Sequence, residues 1–314
     1  MKSNRIACRF NKPFAFSGTP SMNDSGCQSE LGAPGHVLFT EFLDGKGIES
    51  AGPLSTKQRL TIQKAFEDYW QVGGFPNVNG LDQQQRIEAH QANWNAILAS
   101  IIGHHNISHP RAVIDLAHWL VDNTGSYYAI SHLTDYLKSL GHRVRKSSVV
   151  DWLVAFEDAA LIFSVNIFSN SPTRISVNPR KVYCVDHTLT VSVSSGILTN
   201  RDSLLENLVF TALRRVTPEI FYHKSQTGRE VDLVALLPAL GQERAIMLVQ
   251  VCASLADSRV KQSEVRSLSE AMVELAVAEG TIVTWRTDET IPVGFGTIQV
   301  VPVWRFLLEM EPRT

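Results

Sequence analysis

No two of the four cysteines, Cys8, Cys27, Cys184 and Cys252, are close enough to make a C-x-x-C pair. That spacing argues against a disulfide framework or a zinc site and for reduced thiols. Long apolar runs are missing too. No stretch approaches the roughly 18 apolar residues of a membrane span. Pro13-Phe-Ala-Phe16, behind the basic Lys2, Arg5 and Arg9, is too short for a signal-peptide core. A cytoplasmic protein without a membrane partner is expected. There is also no excess of one charge. At a net −2, any attraction to nucleic acid must come from a local patch.

The chemical motifs that are absent exclude further classes. A phosphate-cradling loop needs Gly, four residues, then Gly-Lys-Ser/Thr, whereas Gly45-Lys46 is followed by Gly47. The expectation is therefore no ATP-binding residues and no ATPase activity. The Gly-x-Ser-x-Gly nucleophile elbow does not occur. His104, His105 and His109 lack the i, i+4 spacing of a helical metal site and have no carboxylate nearby, so a solvated loop is the simpler reading. No cofactor is expected.

What is present is an ordinary soluble composition, 44% hydrophobic and 19% charged, in a chain long enough for about two domains. Residues 1–36 form a turn-rich leader, predicted to be poorly ordered. Residues 37–125 carry helical patterns: a run with Phe66, Tyr69 and Trp70 that stops at Gly73-Gly74-Phe75-Pro76, then Ile87–Ile102, then Val113–Leu120. Residues 126–195 suggest a winged helix, with a short helix stopped by Gly141 and a second marked by Val149, Trp152, Leu153 and Phe156. Two β-like runs, Leu161–Phe168 and Arg174–Val185, would form its wing. Residues 196–314 alternate helix and strand, as an α/β domain does. The fold class expected is α+β: a helical and winged-helix region followed by a restriction-endonuclease-like α/β domain.

Two groups of residues invite chemistry. The first is basic: Arg143, Arg145 and Lys146 would stand where the second helix of a helix-turn-helix begins, facing DNA phosphates. Arg214, Arg215, Lys224 and Arg229 would suit the same role near the second domain. The other reading of the helix is a protein-binding surface. The second group is acidic. In Gly228-Arg-Glu-Val-Asp-Leu-Val234, Glu230 and Asp232 share one face of a strand. The next strand, Met247-Leu-Val-Gln-Val-Cys252, brings Gln250 and Cys252 alongside, and Glu206 can reach the same place from the preceding helix. The arrangement resembles the PD-(D/E)XK nuclease fold, in which an acid-x-lysine strand completes a metal site. Glu206, Glu230 and Asp232 would be the catalytic acids, with Gln250 assisting, and Glu206 and Asp232 would be the metal ligands. Here Gln250 offers an amide where that fold has an acid, and Cys252 stands where it has lysine.

Five segments resemble one family when taken in order: Phe39-Thr-Glu-Phe-Leu43, Tyr69-Trp-Gln-Val-Gly-Gly-Phe-Pro76, Asn178-Pro-Arg-Lys-Val-Tyr-Cys-Val-Asp186, Leu204-Leu-Glu-Asn-Leu-Val-Phe210 and Arg229-Glu-Val-Asp-Leu-Val234. They are similar to the C-terminal region of prokaryotic AAA-type ATPases, a domain of unknown function with a winged helix and a nuclease-like fold. The resemblance implies a family member without its N-terminal ATPase, with Phe39–Leu43 as the last segment of that domain. The function expected is binding of nucleic acid or a protein partner, with a degenerate nuclease-like domain. A Mg²⁺-dependent DNA endonuclease and an inert gene remnant are the alternatives.

Overall fold

The computed structural model describes residues 36–194, 200–238 and 244–311. Of the leader predicted over residues 1–36, only His36 lies within them. The described residues form a mixed α+β structure of eleven α-helices and two sheets. Among them no helix is long and apolar enough to cross a membrane.

The first helices are α1 (Phe39–Gly45), α2 (Thr56–Val72), α3 (Gln83–His104) and α4 (Pro110–Asp122). Local chemistry starts each long one. Ser55 caps α2 by accepting from Gln58 N, and the Gln58 side chain returns the bond to Ser55 N. Asp82 and Gln85 repeat that box on α3, and Pro110 stands at the first turn of α4, where its missing N–H costs nothing. The predicted stop at Gly73-Gly74 ends α2. Gly73 has φ 74°, a left-handed value that glycine adopts without strain.

Next come β1 (Tyr127–Tyr128), α5 (Ile130–Ser139), α6 (Lys146–Asp158), β2 (Ile162–Val165), α7 (Pro172–Val177) and β3 (Arg180–Cys184). The three strands form an antiparallel sheet in the order β1-β3-β2. Gly141, at φ 88°, turns the chain between α5 and α6. One expectation is corrected. The β-like run Arg174–Val185 is a strand only from Arg180, because Ser171 caps a short helix that begins at Pro172. Ser-Pro is a helix start there, not only a turn.

The remaining elements are α8 (His187–Val193), α9 (Arg201–Val216), β4 (Ile220–Lys224), β5 (Glu230–Leu237), β6 (Ala245–Val251), α10 (Ser258–Glu274), β7 (Glu279–Thr284), β8 (Glu289–Val293), β9 (Gly296–Pro302) and α11 (Val303–Met310). The six strands form one sheet in the order β4-β5-β6-β7-β9-β8, with β6, β7 and β9 parallel. The strand-like runs Ile220–Tyr222, Glu230–Leu237, Ala245–Val251, Thr281–Trp285 and Thr297–Val303 of the sequence correspond to β4 through β7 and β9, but α8, β8 and α11 are not apparent in it.

Helix α10 covers one face of this sheet through Leu268, Ala271 and Met272. The other face packs on α9 and α11. That second core continues without a break into Phe39, Phe66 and Tyr69 of α1 and α2, and into Tyr183 of β3. The two sheets also touch directly. Tyr222 N donates to Asn166 O and Phe168 N to Tyr222 O, so the chain leaving β2 lies along the outer edge of β4. These contacts lock β3 against α9 and β5, and the acidic group lies at that junction.

Candidate functional site

The antiparallel ladder between β5 and β6 ends at Leu233–Val249. Beyond it, side chains replace backbone partners. Val251 N donates to Asp232 Oδ2 at 2.8 Å, and Asp232 N donates to Gln250 Oε1 at 3.3 Å. Against β4 the register shifts between Phe221–Val234 and His223–Val231, so β5 carries one extra residue there. Val231 and Leu233, which strict strand alternation would put on one face, enter opposite cores. The end of β5 therefore projects Glu230 and Asp232 out of the sheet toward β3.

There they meet Glu206 of α9, as expected, and a residue that was not expected. The Lys181 ammonium of β3 lies 2.6 Å from Glu230 Oε1, 2.8 Å from Glu206 Oε1 and 3.4 Å from Asp232 Oδ1. Lys181 is only 2% exposed, and each of its three protons has a carboxylate to meet. Tyr183, two residues along the same face, donates its hydroxyl to Glu206 Oε1 at 2.5 Å. Its ring stacks on Phe210, centroid to centroid 4.2 Å. Tyr127, paired with Lys181 in the β1–β3 ladder, roofs the ammonium with its ring at 5.7 Å.

These neighbours shift one another's titration. Burial works against charge on Lys181, but Tyr183 and the carboxylates of Glu206, Asp232 and Glu230 outweigh it. They hold the ammonium well above the ordinary lysine range. Asp232 moves the other way from a usual carboxylate. Burial, and next the charge of Glu206, push it up to about 8 despite Lys181 and the Val251 N–H. Glu264 of α10, a residue that sequence reasoning missed, is raised by burial and bonded to the Gln250 side chain. The Gln250 amide thus stands between two acids. An acid at 250 would put like charges face to face.

The basic residues divide. Arg143, Arg145 and Lys146 are exposed around the start of α6. Arg143 and Arg145, with Lys138 and His142, line a shallow open groove. Arg215 turns inward to Glu311 at 3.1 Å and His36 at 2.8 Å, and Arg229 pairs with Glu270 at 3.2 Å. The Arg214 guanidinium lies over Phe163 at 5.5 Å and the Lys224 ammonium over Tyr127 at 4.3 Å. His104, His105 and His109 are exposed. Cys252 is buried, and its thiol donates to Ser254 O.

A second polar centre lies just past the end of β3. Asp186 accepts from Gly74 N, Thr188 N, Leu189 N and the Thr188 hydroxyl, all between 2.5 and 3.1 Å, and His36 Nε2 lies 2.7 Å from its Oδ2. Burial raises its pKa, but His36 and the other donors win and hold it well below the usual carboxylate range. Arg215 can only donate, so His36 Nδ1 accepts from it and Nε2–H faces Asp186. Close packing explains the glycine pair: a Cβ on Gly74 would lie 2.0 Å from the His36 ring, and one on Gly73 2.2 Å from the Thr188 hydroxyl oxygen.

Residues 63–200 match a family described as "Domain of unknown function (DUF8612)". The match takes in Lys181 and Asp186 and ends before Glu206. The chain is 26% identical over 281 residues to "Uncharacterized protein MJ1544" of Methanocaldococcus jannaschii, covering 86% of this chain and 61% of that one. It is 23% identical over 240 residues to an "Uncharacterized protein" of Haemophilus influenzae, covering 74% of this chain and 58% of the relative. The chain thus spans about three fifths of the length of the curated relatives it matches. No solved structure matches it significantly.

Proposed function

We propose that this chain is a nucleic-acid-binding module: a winged helix presents the start of α6 to a phosphate backbone, and a nuclease-like domain beside it does not cut. The order α4-β1-α5-α6-β2-α7-β3, with β3 central in a three-stranded antiparallel sheet, supports the winged-helix reading, the short α7 standing in the connection between the two wing strands. A helix Glu with a strand Glu-x-Asp supports the nuclease-like one.

One observation carries the binding role. Arg143, Arg145 and Lys146 are exposed at the entry to α6 and have no acidic partner among the described residues. Phosphates meet guanidinium and ammonium groups at that end of a recognition helix. The outward Val150 and Val154, 43% and 49% exposed, offer the apolar contact that a thymine methyl accepts. Asp151 and Asp158 lie farther along the helix, which favours docking by its first turn.

The test is fluorescence anisotropy with duplex DNA across a salt series. Each phosphate contact contributes about 0.9 to the slope of log K against log salt. Arg143→Ala/Arg145→Ala/Lys146→Ala should therefore weaken binding and lower the slope by about 2–3. Binding that ignores the triple substitution would sink the reading. Binding only to an acidic protein, and not to DNA, would move it to a protein partner.

A Mg²⁺-dependent nuclease is the second reading, favoured by the Lys181 amine beside the carboxylates where Cys252 supplies none. Incubation of DNA with Mg²⁺ or Mn²⁺ beside an Asp232→Ala control separates the two. The first reading expects no cleavage above background.

A further inference from the structure

The carboxylates of Glu206, Glu230 and Asp232 have the hard oxygen chemistry that Mg²⁺ and Mn²⁺ prefer, but their arrangement does not fit a metal. One oxygen of each is turned onto the Lys181 ammonium, at 2.6 to 3.4 Å. Among the described residues no group of three or more His, Cys, Asp or Glu side chains is set to hold an ion. A buried ammonium and a divalent cation cannot share these oxygens, since both need the same lone pairs and the two charges repel.

Lys181 is not a surface side chain folded over an acid patch. It rises from the central strand of the three-stranded sheet, with β1 and β2 bonded on either side. Its acceptors belong to α9 and β5, across the junction. Tyr183 on the same strand holds Glu206 from a second direction, and Val251 N holds the far oxygen of Asp232. Each acid is thus oriented toward the lysine by a further bond or by its strand.

We propose that Lys181 is the built-in cation of this centre. It takes the position a divalent ion would need, so the centre is closed to metal while β3 stays docked on α9 and β5. Removing its amine turns the three carboxylates into a divalent-cation site. Because β3 belongs to the sheet that carries α6, any displacement of that sheet would also withdraw the ammonium. The proposal goes beyond the DNA-binding reading and does not depend on it.

Thermal unfolding of the full chain under a Mn²⁺ titration, with EDTA reversal, tests it. The wild-type midpoint should not move in millimolar Mn²⁺. Lys181→Ala should melt roughly 5–10 °C lower and regain most of that loss with Mn²⁺, until EDTA is added. Lys181→Arg should ignore the metal as the wild type does. If Lys181→Ala does not fold, Lys181→Ala/Asp232→Asn, with one negative charge fewer, gives the same readout. Folding of these variants only when Mn²⁺ is present also supports the proposal. A Mn²⁺ stabilisation of the wild type as large as that of the variant overturns it. So does a variant that is folded but unresponsive, or one that fails to fold with and without the metal.

Discussion

Lys181 and Asp186 are buried charges five residues apart, and they are housed in opposite ways. Asp186 is one anion that accepts four hydrogen bonds, three of them from backbone N–H groups, with His36 beside it, so its lone pairs are used. Lys181 is one cation among three acids, so burial, with the neighbouring charge of Glu206, still lifts Asp232 to about 8. A saturated centre has nothing left to bind and fixes geometry. It pins the Gly73-Gly74 turn, α8 and α9 to one another. The unsaturated centre is strained by its own like charges, so a change of pH or of counter-ion acts there first.

The largest expected effect breaks the saturated centre. Asp186→Ala leaves Gly74 N, Thr188 N and Leu189 N without their acceptor, and should cost about 3–5 kcal/mol in urea unfolding. A loss below about 0.5 kcal/mol, within the range of an ordinary surface change, would remove the distinction. Next comes Gln250→Glu, which sets a new acid between Asp232 and Glu264. Its raised pKa should cost about 2–3 kcal/mol at pH 8 and much less near pH 5. A pH-independent loss would point to packing instead.

An effect of comparable size, spread over several pH units, comes from Asp232 itself. A carboxyl raised to about 8 in the folded chain stabilises it fully below the ordinary carboxylate value and loses that contribution as pH rises through about 8. Measured against Asp232→Asn, the wild type should therefore lose ground between about pH 4 and pH 8, by up to about 1 kcal/mol per pH unit. Urea midpoints for both proteins across that range decide it, and parallel curves would contradict the raised value. The smallest effect is at α6. Arg143→Ala, Arg145→Ala and Lys146→Ala should each change stability by no more than about 0.5 kcal/mol, so that lost DNA binding in the triple variant reflects contact and not unfolding. Thermal melts of the single variants check this.

Much of the acidic site was legible because its signals are local. Strand alternation puts Glu230 and Asp232 on one side, the short spacing to the next strand brings Gln250 alongside, and the apolar stripe of α9 orients Glu206. Lys181 was not legible as their partner. It lies 25 residues before Glu206 and 51 before Asp232, on a strand of a different sheet. Only its place immediately before the apolar Val182-Tyr183 pair hinted at it. Cys252 drew attention to a missing lysine, while the amine reached the acids from another direction. The helix at Pro172 was hidden for the opposite reason: Ser, Asn and Pro mark both a turn and a capped helix start, and a sequence does not separate them. His36 shows the same limit, since its place depends on Gly74, Arg215 and Asp186 meeting in space.

The strip of chain that follows β2 has one more consequence, for how copies of this protein meet one another. An uncovered outer strand presents N–H and C=O groups that a second molecule can pair with, the first step of edge-to-edge aggregation. Residues 166–168 lie along β4 and take the Tyr222 groups that would otherwise be open. At the other end of the six-stranded sheet, β8 carries Pro292, which has no N–H to give. Both rims are blunted, one by cover and one by chemistry. The protein should therefore stay dispersed when concentrated, even with a sheet six strands wide.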